Sequence, residues 1–362
     1  MTTYLFAGGG TAGHVNPLLA VADTIVGRQP DATVIVLGTR EGLEARLVPA
    51  RGYELVFTPR LPFPRRPNRQ AVTFLPRFNR AVGDLVTLIR ERNVDVVVGF
   101  GGYVSTPAYL AAWRAGVPIV IHEANARAGL ANRLGAWLTG HVGVAFSGTR
   151  IRHPHVVGMP LRPEIAALDR AEARPEALAF FGLDAERPTL LVTGGSLGAR
   201  RVNNTIAESA GNLIDAGWQV LHITGDRSPV EDPALAHYRL VSYCDRMDLA
   251  LSIADFAVSR AGAGTVSELS ALGIPAVYVP YPVGNGEQRF NAADVVGAGG
   301  GILVADADFL PDWVQAELIP VLTDRDRVGR MGVAAESAGR LDGSARMADF
   351  IAAALPQPQR LT

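Results

Sequence analysis

The stretch FAGGGTAGHVNP, residues 6–17, places one imidazole directly after four glycines. Glycine lets backbone N–H groups approach an anion, and a helix that begins behind the glycines adds favourable partial charge. The ordinary pKa of an imidazole is near 6.5, which makes histidine the side chain that most often acts as a general base at neutral pH. The pattern therefore predicts a turn that binds an anionic substrate, with His14 as a candidate general base.

Three further glycine turns follow other β-rich runs of the sequence. Each of them alone is equally compatible with tight packing between a strand and a helix. Two turns in each half of the chain together predict one ligand that contains a diphosphate. The three turns hold Gly101 and Gly102 after DVVVGF, Gly194, Gly195 and Ser196 at the end of TLLVTG, and Gly262 and Gly264 after FAVSRA.

Short β-rich runs alternate with longer helical patterns, which predicts parallel sheets with crossover helices. A first series of strand candidates precedes MPLRPE, residues 159–164, and a second series follows it. We therefore predict an α/β protein of two doubly wound, Rossmann-like domains that face a shared cleft, with ligands at the carboxyl ends of the strands. The candidates are residues 3–7, 33–38, 95–100 and 118–123, then 189–194, 219–224, 256–261, 275–280 and 301–306.

Composition excludes several classes of protein. The 362 residues are 48% hydrophobic and carry a net charge of −1, which gives no overall electrostatic footprint for nucleic acid. All 34 cationic side chains are arginine, so lysine Schiff-base chemistry and the Walker lysine are excluded. Cys244 is the only cysteine, which excludes an intramolecular disulfide and fits a reducing compartment. No apolar run reaches the roughly 18 to 20 residues that span a bilayer.

A dinucleotide-binding interpretation competes with the diphosphate turn. Gly8, Gly10 and Gly13 satisfy G-x-G-x-x-G, the fingerprint of nicotinamide-dependent oxidoreductases. The second strand candidate is followed by Thr39 and Arg40, whereas an NAD site needs an acidic residue there to hold the ribose. An NADP-dependent oxidoreductase stays open through Arg40, although it does not explain the glycine turns of the second half.

Six motifs spread over almost the whole chain closely resemble the MurG family, the N-acetylglucosaminyltransferases of peptidoglycan synthesis. They are FAGGGTAGHVNPLLAVA, VGFGGYVSTP, HEANARAGLANR, VVGMPLRP, LVTGGSLGARRVN and SRAGAGTVSELSALGIPAVYVPYP. The resemblance implies a GT-B fold, UDP-N-acetylglucosamine as donor and undecaprenyl-diphospho-N-acetylmuramoyl-pentapeptide (lipid I) as acceptor, with lipid II as product and no cofactor. A UDP-sugar epimerase, or a non-catalytic UDP-sugar binder, of the same architecture stays open.

The resemblance also implies which part of the chain handles each substrate. Residues 1–160 are expected to form the acceptor and membrane-associating domain, to which residues 342–362 return as a final helix. Residues 161–341 are expected to form the donor-binding domain. His14 is expected to take the proton from the muramoyl 4-hydroxyl in a single inverting displacement. The alternative is that His14 only hydrogen-bonds the turn or a donor phosphate.

Residue by residue, the resemblance implies a donor site and an acceptor site. Two positions depart from the family pattern, because Leu197 and Glu287 stand where many members have glutamine. Cys244 stands at the position whose backbone contacts the uracil in the family. A contact made by the main chain tolerates a change of side chain. The implied donor residues are Thr11, Ala12, Gly13, Asn125, Arg162, Ser196, Cys244, Ala263, Gly264, Thr265, Val266, Ser267, Glu268 and Gln288; the implied acceptor residues are Gly101, Gly102 and Tyr103.

Local structure offers a second explanation for several of these residues. Thr265 and Glu268 have the S/T-x-x-E spacing of a capping box. In the family role, the Glu268 carboxylate accepts hydrogen bonds from the ribose hydroxyls while the preceding turn meets the diphosphate. Ser196 fits an N-cap and Asn125 an Asx-turn equally well.

Asp306-Ala307-Asp308 has the D-x-D spacing of a metal site in another glycosyltransferase architecture. A helical pattern starts at Phe309, so we predict that Asp308 is an N-cap and that no metal is bound. Backbone amides and helix N-termini are expected to neutralise the departing diphosphate instead.

The segment from residue 55 to residue 83 is strongly basic. It holds six arginines and no acidic residue, interleaved with aromatic and apolar side chains. The alternative is a solvated arginine loop with core-facing aromatics, but a lipid-linked acceptor favours peripheral docking on the anionic cytoplasmic face of the cell membrane. The residues expected at the membrane are Arg65, Arg66, Arg69, Phe74, Leu75 and Phe78.

Charge reversal at Arg65, Arg66 and Arg69 is expected to weaken binding to anionic vesicles, because each basic group near such a surface contributes about 1 kcal/mol. Turnover of a soluble, short-chain acceptor should be unchanged in the same variant. Vesicle co-sedimentation and a soluble assay measure the two effects separately. Vesicle binding equal to that of the wild type would contradict the membrane prediction.

Overall fold

The computed structural model describes residues 1–61, 63, 69–195, 198–283 and 286–356, and of residues 69–72 the backbone alone. The chain folds into two compact units, Met1–Arg162 with Asp342–Thr362, and Pro163–Leu341. Each unit is a parallel sheet with crossover helices, which confirms the predicted α/β class with two Rossmann-like domains. The units divide after Arg162, whereas the sequence predicted a division after residue 160.

A seven-stranded parallel sheet forms the first unit. Its elements are β1 Thr3–Gly8, α1 Ala12–Arg28, β2 Thr33–Gly38, α2 Glu44–Ala50, β3 Glu54–Phe57, α3 Arg69–Glu91, β4 Val96–Gly101, α4 Ser105–Ala115, β5 Ile119–Glu123, α5 Leu130–Gly135, β6 His141–Val144 and β7 Pro154–Val156. The strand order is β3-β2-β1-β4-β5-β6-β7. The chain order therefore reverses beside β1, and the carboxyl ends of β1 and β4 flank the usual ligand position of such sheets.

The second unit repeats this plan with a six-stranded parallel sheet. Its elements are α6 Pro163–Ala166, α7 Arg170–Phe181, β8 Thr189–Thr193, α8 Arg200–Glu208, α9 Ala210–Asp215, β9 Gln219–Ile223, β10 Tyr238–Val241, α10 Met247–Ile253, β11 Ala254–Ser259, α11 Ala263–Ala271, β12 Ala276–Tyr278, α12 Glu287–Asn291, α13 Ala293–Gly297, β13 Gly301–Leu303, α14 Pro311–Trp313, a π-helical turn Val314–Leu318, α15 Ile319–Thr323 and α16 Arg325–Ala338. The strand order β10-β9-β8-β11-β12-β13 reverses beside β8. The carboxyl ends of β8 and β11 are thus the equivalent pair.

The strands form where the sequence is apolar on both sides of the sheet. All six residues of β4 are buried, as in a parallel strand covered by helices on both faces. Alternate residues of β1 enter different cores: Leu5 joins the cluster under α3 and α4, whereas Tyr4 and Phe6 join the cluster under α1. Both faces of the central strand are therefore fixed by packing.

The last helix, α17 Gly343–Ala354, completes the first unit. Met347 and Ile351 are fully buried in the same cluster as Val15 and Leu18 of α1. At the start of the helix, a Cβ on Gly343 would lie 2.1 Å from the Met159 carbonyl oxygen, so only glycine fits this close approach. No helix in the described part of the chain is long and apolar enough to cross a membrane.

Two histidines lie in the interior, one in each unit. Nε2 of His122 in β5 donates a hydrogen bond to the Gly158 carbonyl oxygen at 3.0 Å. His222 in β9 lies 2.6 Å from the Tyr238 hydroxyl and 3.2 Å from Oδ1 of Asn203. Burial lowers the pKa of both imidazoles from 6.5 to about 4. Both rings are therefore neutral in the folded chain at neutral pH.

We expect acid to destabilise the fold through these two histidines. Between pH 6.5 and pH 4 they are protonated in the unfolded chain and neutral in the folded one, so the free energy of unfolding falls as the pH falls. The loss across the whole interval is on the order of 3 kcal/mol for each histidine. Urea unfolding between pH 7 and pH 4.5 measures it.

The variant His222→Gln should show a smaller dependence of unfolding free energy on pH than the wild type. The matched control is His141→Gln, because His141 is exposed and its replacement should leave the pH dependence unchanged. Equal pH dependence in the wild type and His222→Gln would contradict the prediction.

Candidate active site

The first glycine turn connects β1 to α1. Thr11 is the N-cap residue of α1 in an extended conformation, and Gly10 has a φ of +89°. A Cβ at Gly8 would press on Leu18, and one at Gly9 would enter the Glu44 carboxylate. A Cβ at Gly10 would meet nothing within 4 Å. Open space beside the turn is therefore found at Gly10, whereas Gly8 and Gly9 allow close packing.

His14 lies on the first turn of α1 and is half-buried. Its Nδ1 is 3.1 Å from the Gly9 carbonyl oxygen and 3.4 Å from Oγ1 of Thr11. Since a carbonyl oxygen only accepts hydrogen bonds, Nδ1 carries the hydrogen, and Nε2 of the neutral ring has the free lone pair. This tautomer is the one in which Nε2 can act as a base.

The second glycine turn packs directly against the first. A Cβ at Gly101 would lie 3.0 Å from Nε2 of His14, and one at Gly102 would lie 2.7 Å from the Gly9 carbonyl oxygen. Both glycines have positive φ, +98° and +85°. The structure thus brings the predicted residues His14, Gly101 and Gly102 together, and close packing explains both glycines. Tyr103 follows at 43% exposure.

Glu44 belongs to this region, although no sequence motif predicted it. The side chain is fully buried at the start of α2. Its Oε2 accepts a hydrogen bond from the Gly10 N–H at 2.8 Å, and its Oε1 accepts from the N–H and hydroxyl of Thr39 at 2.8 and 2.9 Å. Burial alone would raise the pKa of this carboxyl, but the hydrogen bonds outweigh burial and hold the pKa below its ordinary value. Glu44 is therefore an anion at neutral pH.

Asn125 follows β5 and lies beside a second buried carboxylate. Oε1 of Glu123 accepts from the Asn125 N–H at 2.9 Å, which is the geometry of a turn that a carboxylate holds. Oε2 of Glu123 accepts from the N–H of Gly129 and from Nδ2 of Asn132, each at 3.0 Å. Both oxygens of Glu123 thus hold the loop before α5, which favours a structural role for Glu123 over a role as base.

The second unit contains an open pocket of about 880 Å³ at the carboxyl ends of β8 and β11. The pocket brings the predicted residues Thr265 and Gln288 together with the third and fourth glycine turns. Gln288 also accepts a hydrogen bond through Oε1 from the Tyr281 N–H at 2.9 Å. The lining includes Gly194, Gly195, Gly198, Arg200, Arg201, Ser228, Arg260, Gly262, Thr265, Tyr281, Gln288 and Asp306.

Arg260 is a pocket residue that the sequence analysis did not single out. Its Nη1 donates to the Val279 and Pro280 carbonyl oxygens at 3.0 and 3.2 Å and pairs with Oδ1 of Asp306 at 2.6 Å. Asp306 of the D-x-D sequence is therefore the partner of an arginine. The predicted N-cap at Asp308 is wrong, because α14 begins only at Pro311 with Leu310 as its N-cap residue. Among the described residues, no group of three potential metal ligands occurs.

The N-terminus of α11 differs from a capping box. Gly262 is the N-cap residue and no side chain caps the helix, so Thr265 and Glu268 both lie inside α11. The capping explanation of these two residues is therefore wrong. Val266 and Ser267 are buried, at 2% and 9% exposure, and neither is among the residues that line the pocket. Ala263 and Gly264 form the first turn of the same helix.

The remaining predicted donor residues are distributed over both units. Thr11, Ala12, Gly13 and Asn125 belong to the first unit, and Arg162 is its last residue before α6. Cys244 is half-buried after β10, where burial raises the pKa of its thiol, and it is not among the residues that line the pocket. Ser196 lies outside the described residues.

The basic segment contains both buried and exposed side chains. Phe78 is only 9% exposed and packs into the core under α3, so the prediction that it contacts the membrane is wrong. Phe74 is half-buried and its ring stacks on that of Phe78 at 5.4 Å. Leu75 is 62% exposed. Arg65, Arg66 and the side chain of Arg69 lie outside the described residues.

Family models and curated relatives match both units of this chain. The model of the glycosyltransferase family 28 N-terminal domain matches residues 4–144, and that of the family 28 C-terminal domain matches residues 189–347. A relative from Leifsonia xyli subsp. xyli is named UDP-N-acetylglucosamine--N-acetylmuramyl-(pentapeptide) pyrophosphoryl-undecaprenol N-acetylglucosamine transferase. It is 66% identical over 351 residues, which cover 97% of this chain and 98% of the relative. A relative of the same name from Streptomyces coelicolor is 51% identical over 93% of this chain and 94% of its own length.

Solved structures share the fold. The crystal structure of Acinetobacter baumannii MurG matches with a TM-score of 0.80 and 27% identity, over 98% of this chain and 100% of that chain. UDP-GlcNAc 2-epimerase from Neisseria meningitidis matches with a TM-score of 0.66 at 16% identity, over 98% and 100% of the two chains, which shows the fold alone. The two family models, one in each unit, and the identity to the curated relatives show that this chain belongs to glycosyltransferase family 28.

Proposed function

We propose that this chain is the N-acetylglucosaminyltransferase that converts lipid I to lipid II in peptidoglycan synthesis. The observation that carries the proposal is the 66% identity, over nearly the full chain, to a relative named for this reaction. In the reaction, the muramoyl 4-hydroxyl oxygen forms a bond to C1 of N-acetylglucosamine while the bond from C1 to the UDP oxygen breaks. The α-linked donor becomes a β-linked product and UDP leaves.

His14 is the candidate base for this displacement. The Gly9 carbonyl oxygen holds the Nδ1 hydrogen at 3.1 Å, which leaves the Nε2 lone pair to take the proton of the acceptor hydroxyl. The open space at Gly10 gives the acceptor access to this side of α1. Glu123, a buried carboxylate at the end of β5 in the same unit, is a weaker candidate because both of its oxygens are engaged by the loop before α5.

The pocket of the second unit is the candidate donor site. Its volume of about 880 Å³ lies within the range of pockets that bind small molecules and cofactors. Arg200, Arg201 and Arg260 supply positive charge, and the first turn of α11 supplies unpaired N–H groups for a diphosphate. In this assignment Gln288, which lines the pocket, contacts the sugar. Glu268 lies further along α11 and is not among the lining residues; its proposed role towards the ribose hydroxyls rests on the family resemblance. No metal is needed, because amides and arginines neutralise the departing UDP.

The alternatives have less support. Arg40, on which an NADP site depends, lies with its guanidinium 4.5 Å from the centroid of the Phe57 ring, and both family models describe glycosyltransferases. The likeness to UDP-GlcNAc 2-epimerase is confined to the fold.

For the lipid-linked acceptor we propose peripheral association with the cytoplasmic face of the membrane, supported by the exposed Leu75, Arg77 and Arg80 on α3.

One assay tests the proposed function. The purified chain is incubated with UDP-N-acetylglucosamine, with and without a short-chain lipid I analogue, and UDP and disaccharide product are measured. UDP release should require the acceptor and should equal the product formed. UDP release or an isomerised sugar without the acceptor would indicate an epimerase, and consumption of NADPH would indicate an oxidoreductase.

The variant His14→Ala should lower kcat by about 100- to 10,000-fold, because the general base is removed. The Kd for UDP-N-acetylglucosamine should stay unchanged, since the donor pocket belongs to the other unit. Steady-state kinetics and donor titration separate the two quantities. The control His141→Gln, at an exposed histidine of the same unit, should retain full activity. A variant His14→Ala with normal kcat and weakened donor binding would make His14 a binding residue.

A further inference from the structure

The peptide unit between Gly9 and Gly10 has a partner on each side. Its N–H, which belongs to Gly10, donates to Oε2 of Glu44 at 2.8 Å. Its carbonyl oxygen, which belongs to Gly9, accepts from Nδ1 of His14 at 3.1 Å. In a trans peptide the N–H and C=O point in opposite directions, so one planar group joins the carboxylate to the imidazole.

The surrounding backbone is built to admit the Glu44 side chain. A Cβ at Gly9, Gly38 or Gly42 would lie 2.4, 2.4 or 2.1 Å from an atom of that side chain. Real Cβ atoms do not approach so closely, so all three glycines leave room for one carboxylate. The two hydrogen bonds from Thr39 anchor Oε1 to the end of β2. The Glu44 carboxylate is thus hydrogen-bonded through one oxygen to the end of β2 and through the other to the glycine turn.

The bridge also has an electrostatic consequence. An ionised acceptor forms stronger hydrogen bonds than a neutral one. A carboxylate that accepts from a peptide N–H polarises the peptide, so its C=O becomes a better acceptor for the next hydrogen. Nδ1 of His14 supplies that hydrogen. In catalytic triads a carboxylate holds the tautomer and orientation of an imidazole directly. In this protein one peptide group lies between the carboxylate of Glu44 and the imidazole of His14.

We propose that Glu44 is a positioning residue for His14, acting through the Gly9–Gly10 peptide to hold the imidazole with its Nε2 lone pair free. The inference rests on the proposed function, in which His14 is the base. Glu44 itself makes no contact with substrate in this proposal. The first glycine turn accordingly uses its Gly10 amide for an internal carboxylate, whereas the sequence pattern assigned such amides to a diphosphate.

The variant Glu44→Gln tests the proposal because it keeps the size of the side chain and removes its charge. The new amide group has to face the N–H of either Gly10 or Thr39, so one hydrogen bond is lost. We expect kcat to fall by about 10- to 100-fold, less than where a carboxylate bonded directly to the imidazole is lost. The Kd for UDP-N-acetylglucosamine should remain within about twofold of the wild type. The conservative variant Glu44→Asp should recover part of the loss.

Two measurements distinguish positioning from a merely structural role. The ¹⁵N spectrum of the His14 ring should show a hydrogen on Nδ1 in the wild type and a shift towards the other tautomer in Glu44→Gln. In a double-mutant cycle, Glu44→Gln should add nothing to the loss caused by His14→Ala, because Glu44 acts only through that ring. The matched control is Glu41→Gln, an exposed carboxylate three positions earlier, which should change neither readout.

The outcomes separate this proposal from the proposed function. If the wild type shows no acceptor-dependent UDP release, the function fails, while the ¹⁵N comparison still decides whether Glu44 sets the His14 tautomer. If the wild type is active and Glu44→Gln keeps its kcat, or its loss adds fully to that of His14→Ala, Glu44 is not a positioning residue. If Glu44→Gln does not fold, Glu44→Asp carries the same two measurements, because its shorter side chain keeps the charge but cannot reach Gly10 and Thr39 equally well. A partial shift of the tautomer is then expected, and an unchanged tautomer would overturn the proposal.

Discussion

The reversal of strand order beside β1, and again beside β8, is the constraint on which both sites depend. Parallel strands need crossover helices, and where successive crossovers leave in opposite directions the turns after two neighbouring strands face each other without a helix between them. In the first unit these are the turns after β1 and β4, which bring His14 against Gly101. In the second unit they are the turns after β8 and β11, which line the pocket. The four glycine turns that the sequence displays are therefore two pairs, one in each unit.

The same glycine pattern serves two physical purposes, and the sequence does not separate them. At Gly10 and Gly195 a Cβ would meet nothing within 4 Å, which is what a ligand needs. At Gly102 and Gly198 a Cβ would strike the carbonyl oxygens of Gly9 and Thr224 at 2.7 and 2.3 Å, which is a packing requirement. Both purposes select glycine because both exclude a side chain. Only the three-dimensional structure shows whether the space beside a glycine is open or is filled by another turn.

The sequence predicted the fold well because the central strands are continuous apolar runs such as VVVGFG in β4. It missed β3, β6, β7 and β10, which are short, lie towards the edges of their sheets and include exposed residues such as Glu54. His14 was found because it stands beside its glycines. Glu44 was not, because its partner Gly10 is 34 residues away and no local spacing links them. A weak signal did exist, since the glycines Gly38 and Gly42 stand shortly before Glu44 in the sequence.

Each unit assembles its own chemistry. The carboxylate of Glu44, the Gly9–Gly10 peptide and the imidazole of His14 all belong to the first unit, so the contacts that hold the His14 tautomer lie within that unit. The pocket with Arg260 and Thr265 is likewise complete within the second unit. Because Asp306 and two backbone carbonyls already hold Arg260, its guanidinium is oriented before any ligand arrives, which reduces the ordering that binding must impose. Each unit therefore orients its own polar side chains through contacts within that unit. The buried Glu44 anion, whose desolvation is costly, lies behind the first glycine turn, where three hydrogen bonds offset that cost and where one peptide group connects it to the imidazole of His14.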